Sequence, residues 1–305
     1  MTNTEIRRIL CPTDFSEPSR RALEYALAVA AWDGAALTAL YVMADTTVPA
    51  SELAYMANPM LLDHGLQESM LSDLSAIVAP ARKLGLHAEA VVRDGKPAAE
   101  IVSMAGELPA DLVVMGTHGR TGFQRLMLGS VAETVLRRVH CPVLTVPAHA
   151  PEHPGPLFFK RILCATDFSP ASAAAVCYAA SLAEEAGACL TLLHVFDPEK
   201  LRDLEDCQAG DDRRRDFERT ARLMLRGTLP KSTLGAFSTK EIVTLGAAAT
   251  EILHVAGQGK ADLIVLGVHG RSLLDLMAFG SVTHQVVREA ACPVLTVRPP
   301  SGRIA

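Results

Sequence analysis

A chain of 305 residues, 49% hydrophobic and 21% charged, has room for two domains of ordinary size, each with its own core, and does not have the composition of a disordered protein. Its net charge of −5 gives no electrostatic case for a nucleic-acid partner. No uncharged apolar run is long enough to span a membrane, and the opening MTNTEIRRIL lacks the basic-then-apolar pattern of a secretory signal, so a soluble cytoplasmic protein is expected.

In chain order, Arg8 to Pro12 reads as a short apolar strand, after which Ser16 offers a helix N-cap with Pro18 tolerated in the first turn. Ala22, Leu23, Ala26, Leu27 and Ala30 recur at helical spacing until Gly34 ends the run. Leu37 to Val42 is the next strand, followed by a longer segment with Pro49 and Pro59 and a helix around Leu66 to Leu84, closed by Gly85. Strand His87 to Val92, a helix near Ala98 to Glu107 and strand Leu112 to Met115 come next. A helix from about Ser130 to Val139 and strand Val143 to Val146 complete the unit. The stretch PAHAPEHPGP then carries four prolines and a glycine, which cannot continue a helix or a central strand. Residues 148–157 are therefore expected to link domain 1–147 to domain 158–305.

The second domain repeats the first. RILCPTDFS (Arg8 to Ser16) returns as RILCATDFS (Arg161 to Ser169), and GTHGRTGFQRLMLGS (Gly116 to Ser130) as GVHGRSLLDLMAFGS (Gly267 to Ser281). CPVLTV occurs at Cys141 and again at Cys292. Early motifs repeat at an offset of 153 (Asp14 to Asp167) and late ones at 151 (Gly116 to Gly267), so the second copy has lost two residues in between. A repeat of this length is a whole domain rather than a solenoid unit. Strands such as DLVVMG and DLIVLG are apolar on both faces, and the β-α alternation predicts a doubly wound parallel sheet covered by helices on each side. Ligands on such sheets bind beyond the carboxyl ends of the strands, where the strand order reverses. The motif-bearing segments follow strands one and four.

Gly116, Gly119 and Gly129-Ser130, with their counterparts Gly267, Gly270 and Gly280-Ser281, form the candidate anion site. Glycines let a backbone approach an anion closely and adopt positive φ. Ser130 and Ser281 begin helices whose free N–H groups and dipole favour phosphate, and their hydroxyls can add a bond or cap the helix. The same glycines could instead only shape a β-to-α turn, but their repeated spacing favours a shared ligand. Asp14 and Asp167 suit either a ligand contact or a turn carboxylate bonded to the following backbone, and the roles can coexist. His118 and His269 sit in the glycine loops, facing a ligand or shaping the loop. His149 and His153 lack a third metal ligand and read as spectators, so no metal site is assigned. DDRRRDFER (Asp211 to Arg219) reads as the solvated start of a helix. The seven cysteines make no CxxC pair, and Cys11, Cys164, Cys141 and Cys292 read as packing residues.

PTDFS after strand one, G-x2-G-x9-G-S after strand four and the terminal CPVLTV strand resemble the universal stress protein family, in both copies and over nearly the whole chain. The resemblance implies a Rossmann-like α/β fold of two tandem doubly wound five-stranded parallel-sheet domains, strand order 3-2-1-4-5, and ATP bound without rapid hydrolysis. It implies that Asp14 and Asp167 hold the adenine amino group, that Pro12, Thr13, Ala165 and Thr166 line the base pocket, and that Val42 and Val195 contact base or ribose. Gly116, Gly119 and their counterparts Gly267 and Gly270 would meet the ribose and α-phosphate, with His118, Arg120, His269 and Arg271 in the same loops counted among the candidate binding residues. Gly129, Ser130, Val131, Gly280, Ser281 and Val282 would meet the outer phosphates. Arg125 of the first loop aligns with Leu276, Gln124 with Asp275 and Gly122 with Leu273, which makes the first copy the expected stronger MgATP site.

Three functions compete: an ATP-binding regulator, an ATP-cleaving enzyme, and a nucleotide-free scaffold of the same fold. No G-x4-G-K-[ST] loop supplies a phosphate lysine, which disfavours dedicated catalysis. The VLTV strands would lie at sheet edges, and exposed edges are usually paired, so the copies are expected to join there as an intramolecular pseudo-dimer. A further homodimer is expected without a residue-level reason.

Overall fold

The computed structural model describes residues 5–44, 59–119, 127–151, 159–197, 210–233, 235–268 and 279–299. The first half runs β1 (Arg8–Pro12), α1 (Glu17–Asp33), β2 (Ala36–Met43), α2 (Pro59–Lys83), β3 (Ala88–Asp94), α3 (Pro97–Glu107), β4 (Leu112–Gly116), α4 (Ser130–Arg138) and β5 (Val143–Val146). The second runs β6 (Arg161–Ala165), α5 (Pro170–Ala186), β7 (Cys189–Phe196), α6 (Gly210–Thr228), β8 (Thr239–Leu245), α7 (Ala248–Gly259), β9 (Leu263–Gly267), α8 (Ser281–Glu289) and β10 (Val294–Val297), with a 3-10 turn at Lys231–Thr233.

Helix boundaries follow local chemistry. Ser16 and Ser169 accept from the amides of Ser19 and Ser172 and so cap α1 and α5, while Gly34 and Gly187 close them in the left-handed conformation at φ 66 and 56. The helix expected near Leu66 extends back to Pro59, a residue suited to a first helical turn, and α2 carries Pro80 close to its end. Strand β3 runs on to Asp94, held in register with Met43.

All strands join one ten-stranded sheet in the order β3-β2-β1-β4-β5-β10-β9-β6-β7-β8. Each half has the order 3-2-1-4-5 and parallel pairing throughout. The halves meet at β5 and β10, which pair antiparallel with Leu144 opposite Leu295. This is the expected pseudo-dimer. Two buried threonines seal the junction reciprocally: Thr145 Oγ1 donates to the Val294 carbonyl at 3.1 Å, and Thr296 Oγ1 to the Val143 carbonyl at 3.2 Å. Arg298 reaches across to donate to the carbonyls of Leu136 and Arg137 at 2.8 and 2.5 Å, capping the end of α4 from the other half.

One apolar layer lies beneath α1, α2, α5 and α6, and the other beneath α3, α4, α7 and α8, each running through both halves. Cys11 and Cys164 are fully inside, and burial pushes their thiols well up from the ordinary range. Burial likewise raises Cys141 to about 11 and Cys292 to about 12, the chemistry of packing residues rather than nucleophiles. Among the described residues, no helix is long and apolar enough to cross a membrane.

Candidate functional site

Strand β1 hands the chain to α1 through a turn whose polar groups bond one another. Thr13 Oγ1 lies 3.0 Å from Ser19 Oγ and accepts from the Phe15 amide at 3.1 Å. Asp14 Oδ1 accepts from the Ser16 amide at 3.1 Å and from its hydroxyl at 2.5 Å. The second half rebuilds the turn: Thr166 Oγ1 is 2.9 Å from Ser172 Oγ, and Asp167 Oδ1 accepts from the Ser169 amide at 3.0 Å. The turn-carboxylate role is therefore real in both copies. It engages one oxygen of Asp14, while the other, Oδ2, lies against the glycine loop, 2.7 Å from where a Cβ on Gly119 would stand. The two sequence motifs thus meet.

The middle residue of each turn was not singled out by its sequence. Phe15 and Phe168 are left-handed, at φ 62 and 63. A bulky non-glycine residue there costs about 1–3 kcal/mol and persists only where its surroundings enforce it. The enforcement is visible: the Phe15 ring lies 5.0 Å from Tyr41 and the Phe168 ring 4.5 Å from His194. His194 Nδ1 in turn bonds the Thr166 carbonyl at 2.7 Å. The only hint in the sequence was an aromatic kept in both TDFS turns.

Asp167 is subject to opposed effects. Burial pushes its carboxyl up, while hydrogen bonds from Ser169 and Ser172 and the local backbone pull it down, and the net position is below the usual 3.8. Asp167 is thus held ionised.

The glycines differ from their sequence reading. None of Gly116, Gly119, Gly129 and Gly267 has positive φ. Each sits where a side chain would collide with protein: a Cβ on Gly116 would lie 2.9 Å from the Pro18 carbonyl carbon, and one on Gly267 2.8 Å from that of Ala171. Gly129 faces the Thr117 carbonyl in the same way, at 3.2 Å. The first glycine of each loop thus lets a strand end tuck under the opening turn of α1 or α5. The capping role expected of Ser130 and Ser281 also shifts by one residue. Gly129 and Gly280 are the N-caps, both at φ −60 and neither with a side-chain cap, so the serines occupy the first helical position. A glycine N-cap supplies no side-chain acceptor to the first amides of the helix.

In the second half these elements enclose a cleft of about 290 Å³. The expected residues Ala165, Thr166, Asp167, Val195, Gly267, Gly280, Ser281 and Val282 all line it. Ser172, Ala248, Ile252, Leu266 and Thr283 line it as well and were missed. Ala248 and Ile252 belong to α7, which carries no motif; their only signal was apolar spacing on a helix. Pro12, Thr13, Asp14, Val42, Gly116, Gly129, Ser130 and Val131 hold the equivalent places in the first half. His118 Nδ1 pairs with Thr117 Oγ1 at 2.9 Å, and its buried Nε2 has no partner among the described residues. Arg120, Arg125, His269, Gly270 and Arg271 lie outside the described residues, as do His153 and the loop positions on which the charge difference between copies rests.

The sequence profile described as the Universal stress protein family matches residues 5–147 and again residues 158–298. The chain belongs to the universal stress protein family. It is 27% identical over 295 residues to a universal stress protein of Mycolicibacterium smegmatis, spanning 95% of this chain and 97% of that one. A universal stress protein of Methanocaldococcus jannaschii is 37% identical over 140 residues, which is 46% of this chain and 81% of that relative. Among solved structures, a universal stress protein from Archaeoglobus fulgidus superposes with a TM-score of 0.68 at 23% identity, covering 98% of this chain and 100% of that one. At that identity the likeness speaks for the fold, two such domains in one chain.

Proposed function

We propose that this tandem universal stress protein binds ATP in the clefts beyond β1 and β4 and beyond β6 and β9, and works as a nucleotide-responsive regulator of the cytoplasmic stress response. The observation that carries the reading is the convergence, in each half, of a turn carboxylate and a glycine-capped helix N-terminus at the carboxyl end of one sheet. A carboxylate accepts from the exocyclic amine of adenine, and free amides with the helix dipole receive phosphate. The cleft's volume of about 290 Å³ is close to the lower bound of ordinary ligand pockets, about 300 Å³. Among the described residues no cluster of His, Cys, Asp or Glu could hold a metal ion, so Mg²⁺ would be held by the phosphate oxygens of ATP. Asp14 and Asp167 are committed at the base end of the nucleotide, and the sequence has no G-x4-G-K-[ST] lysine to attend the phosphates, so hydrolysis is at most slow. The first half is the stronger site, on the charge of its glycine loop, and a homodimer of the whole chain is part of the same proposal.

ATP at about 100 times its dissociation constant should stabilise the protein by about 2.7 kcal/mol, read as a thermal shift. No shift with MgATP would leave a scaffold, and phosphate release over many turnovers would make it an enzyme. Titrating Asp14→Ala and Asp167→Ala tests the asymmetry, with the greater loss expected from Asp14→Ala. Equal losses would refute it.

A further inference from the structure

The two halves differ on the sheet face beside α3 and α7, at the margins formed by β3 and β8. In the first half a salt-bridge lattice ties strand to helix. The Arg93 guanidinium donates to both carboxylate oxygens of Glu107, at 3.0 and 2.5 Å, and stands 3.5 Å from Glu100. Ser103 Oγ adds a bond to Glu107 at 2.8 Å. In the second half Thr244 replaces Arg93, Gln258 replaces Glu107 and His254 replaces Ser103. Thr244 now bonds Glu251 at 2.9 Å, while Gln258 and His254 bond each other along the helix at 2.9 Å. The bridge is gone.

A groove of about 610 Å³ lies where the bridge would be, larger than the 290 Å³ cleft of the same half. Its charge has also become less negative. The first half carries Arg8 and Arg93 against Glu89, Glu100, Glu107 and Asp111; the second carries Arg161 and Lys240 against Glu251 and Asp262, because Lys240 stands where Glu89 stood. Parallel register sets Lys240 beside Thr191, and Thr191 beside Leu163 two residues along from Arg161. The two cations therefore rise from the same face about 12 Å apart, two strand spacings across and two residues along, on either side of the Thr191 hydroxyl. Ile242 and Val255 supply an apolar stretch further along the groove.

We propose that this groove binds a small organic anion, its carboxylate or phosphate head held by Arg161, Lys240 and Thr191 and its short apolar body laid over Ile242 and Val255. Helix α7 walls the groove with Glu251, His254, Val255 and Gln258, and walls the neighbouring cleft with Ala248 and Ile252. An anion in the groove thus touches the same helix as a ligand in the cleft.

The test is a heteronuclear NMR titration of the full chain with hexanoate and, separately, hexyl phosphate. Saturable shifts at Thr191, Lys240, Thr244 and His254 with either probe are expected, and the tighter probe identifies the head group. Lys240→Glu, an exposed change that leaves the fold intact, should weaken binding by about tenfold or more. Thr244→Arg combined with Gln258→Glu should rebuild the first-half bridge and abolish binding, whereas Asp167→Ala should leave it unchanged, which separates this site from the nucleotide proposal. Linear or absent shifts with both probes, or equal affinity in Lys240→Glu, would overturn the inference.

Discussion

Replacing Gly116 by alanine should loosen the first half from the inside. The new Cβ would stand 2.9 Å from the Pro18 carbonyl carbon, 3.0 Å from its oxygen and 3.1 Å from its Cβ. Carbon atoms settle at about 3.5–4.0 Å, so β4 and the first turn of α1 must part by roughly 0.5–1 Å. Neither moves freely: β4 is buried along its length and α1 carries Ala22, Tyr25 and Ala26 deep in the core. Overpacking of this kind costs about 1–3 kcal/mol. The displaced turn also contains Ser16 and Ser19, which hold Asp14 and Thr13, so affinity for the proposed nucleotide should fall together with stability. The assay is urea unfolding, with Gly106→Ala as control. Gly106 lies inside α3, where an added Cβ meets nothing within 4 Å, and alanine there should gain about 0.5–1 kcal/mol. If Gly116→Ala unfolds within about 0.5 kcal/mol of the parent protein, the tight approach of strand to helix is not what requires glycine.

Other outcomes follow from the junction between the halves. Burial, with Glu185 and Glu5 adding repulsion, pushes the Asp33 carboxyl up to about 6 from 3.8. The folded state therefore binds this proton more tightly than the unfolded chain, and stability is lost as pH rises from 3.8 through about 6. Asp33→Asn should stabilise the protein above that window by about 1 kcal/mol, allowing for solvent screening of a half-exposed group, with the gain vanishing in acid; an equal gain at every pH would refute the cause. Arg298→Ala should cost about 1 kcal/mol by uncapping the α4 carbonyls, and should show in hydrogen exchange at that helix end before it shows elsewhere. Thr145→Val and Thr296→Val should each lower the unfolding free energy by about 1 kcal/mol, since each removes one buried donor across the seam.

The fold was legible because both copies say the same thing, with β-α alternation and strands apolar on both faces, and because Ser16 and Gly34 mark the ends of the first helix. The strand order came from the family likeness, since nothing local in a strand states its neighbour. The carboxylates and the glycine spacings lie together at the carboxyl end of the sheet, but the reason for the glycines is close packing and not positive φ. Their need is set by Pro18 and Ala171, which are distant in sequence and touch Gly116 and Gly267 only after folding. The strained Phe15 and Phe168 were illegible for a related reason: an aromatic residue gives no local sign of positive φ, and what holds it, Tyr41 or His194, arrives from the next strand. Arg93 and Thr244 are a similar case. This pair was not singled out in the sequence, because its effect on the groove shows only once strand and helix lie side by side.

The antiparallel contact of β5 with β10 has a consequence for how such a chain evolves. Two separate polypeptides joined there would come apart on dilution, and each mutation would be copied into both. A covalent tether raises the local concentration of one edge at the other to about the millimolar range, so partnership no longer depends on expression level. It also frees each half to change alone, which is how one margin can keep its arginine while the other trades it for threonine. The join is reciprocal and so uses up the two edges that form it, leaving only β3 and β8 at the margins of the sheet.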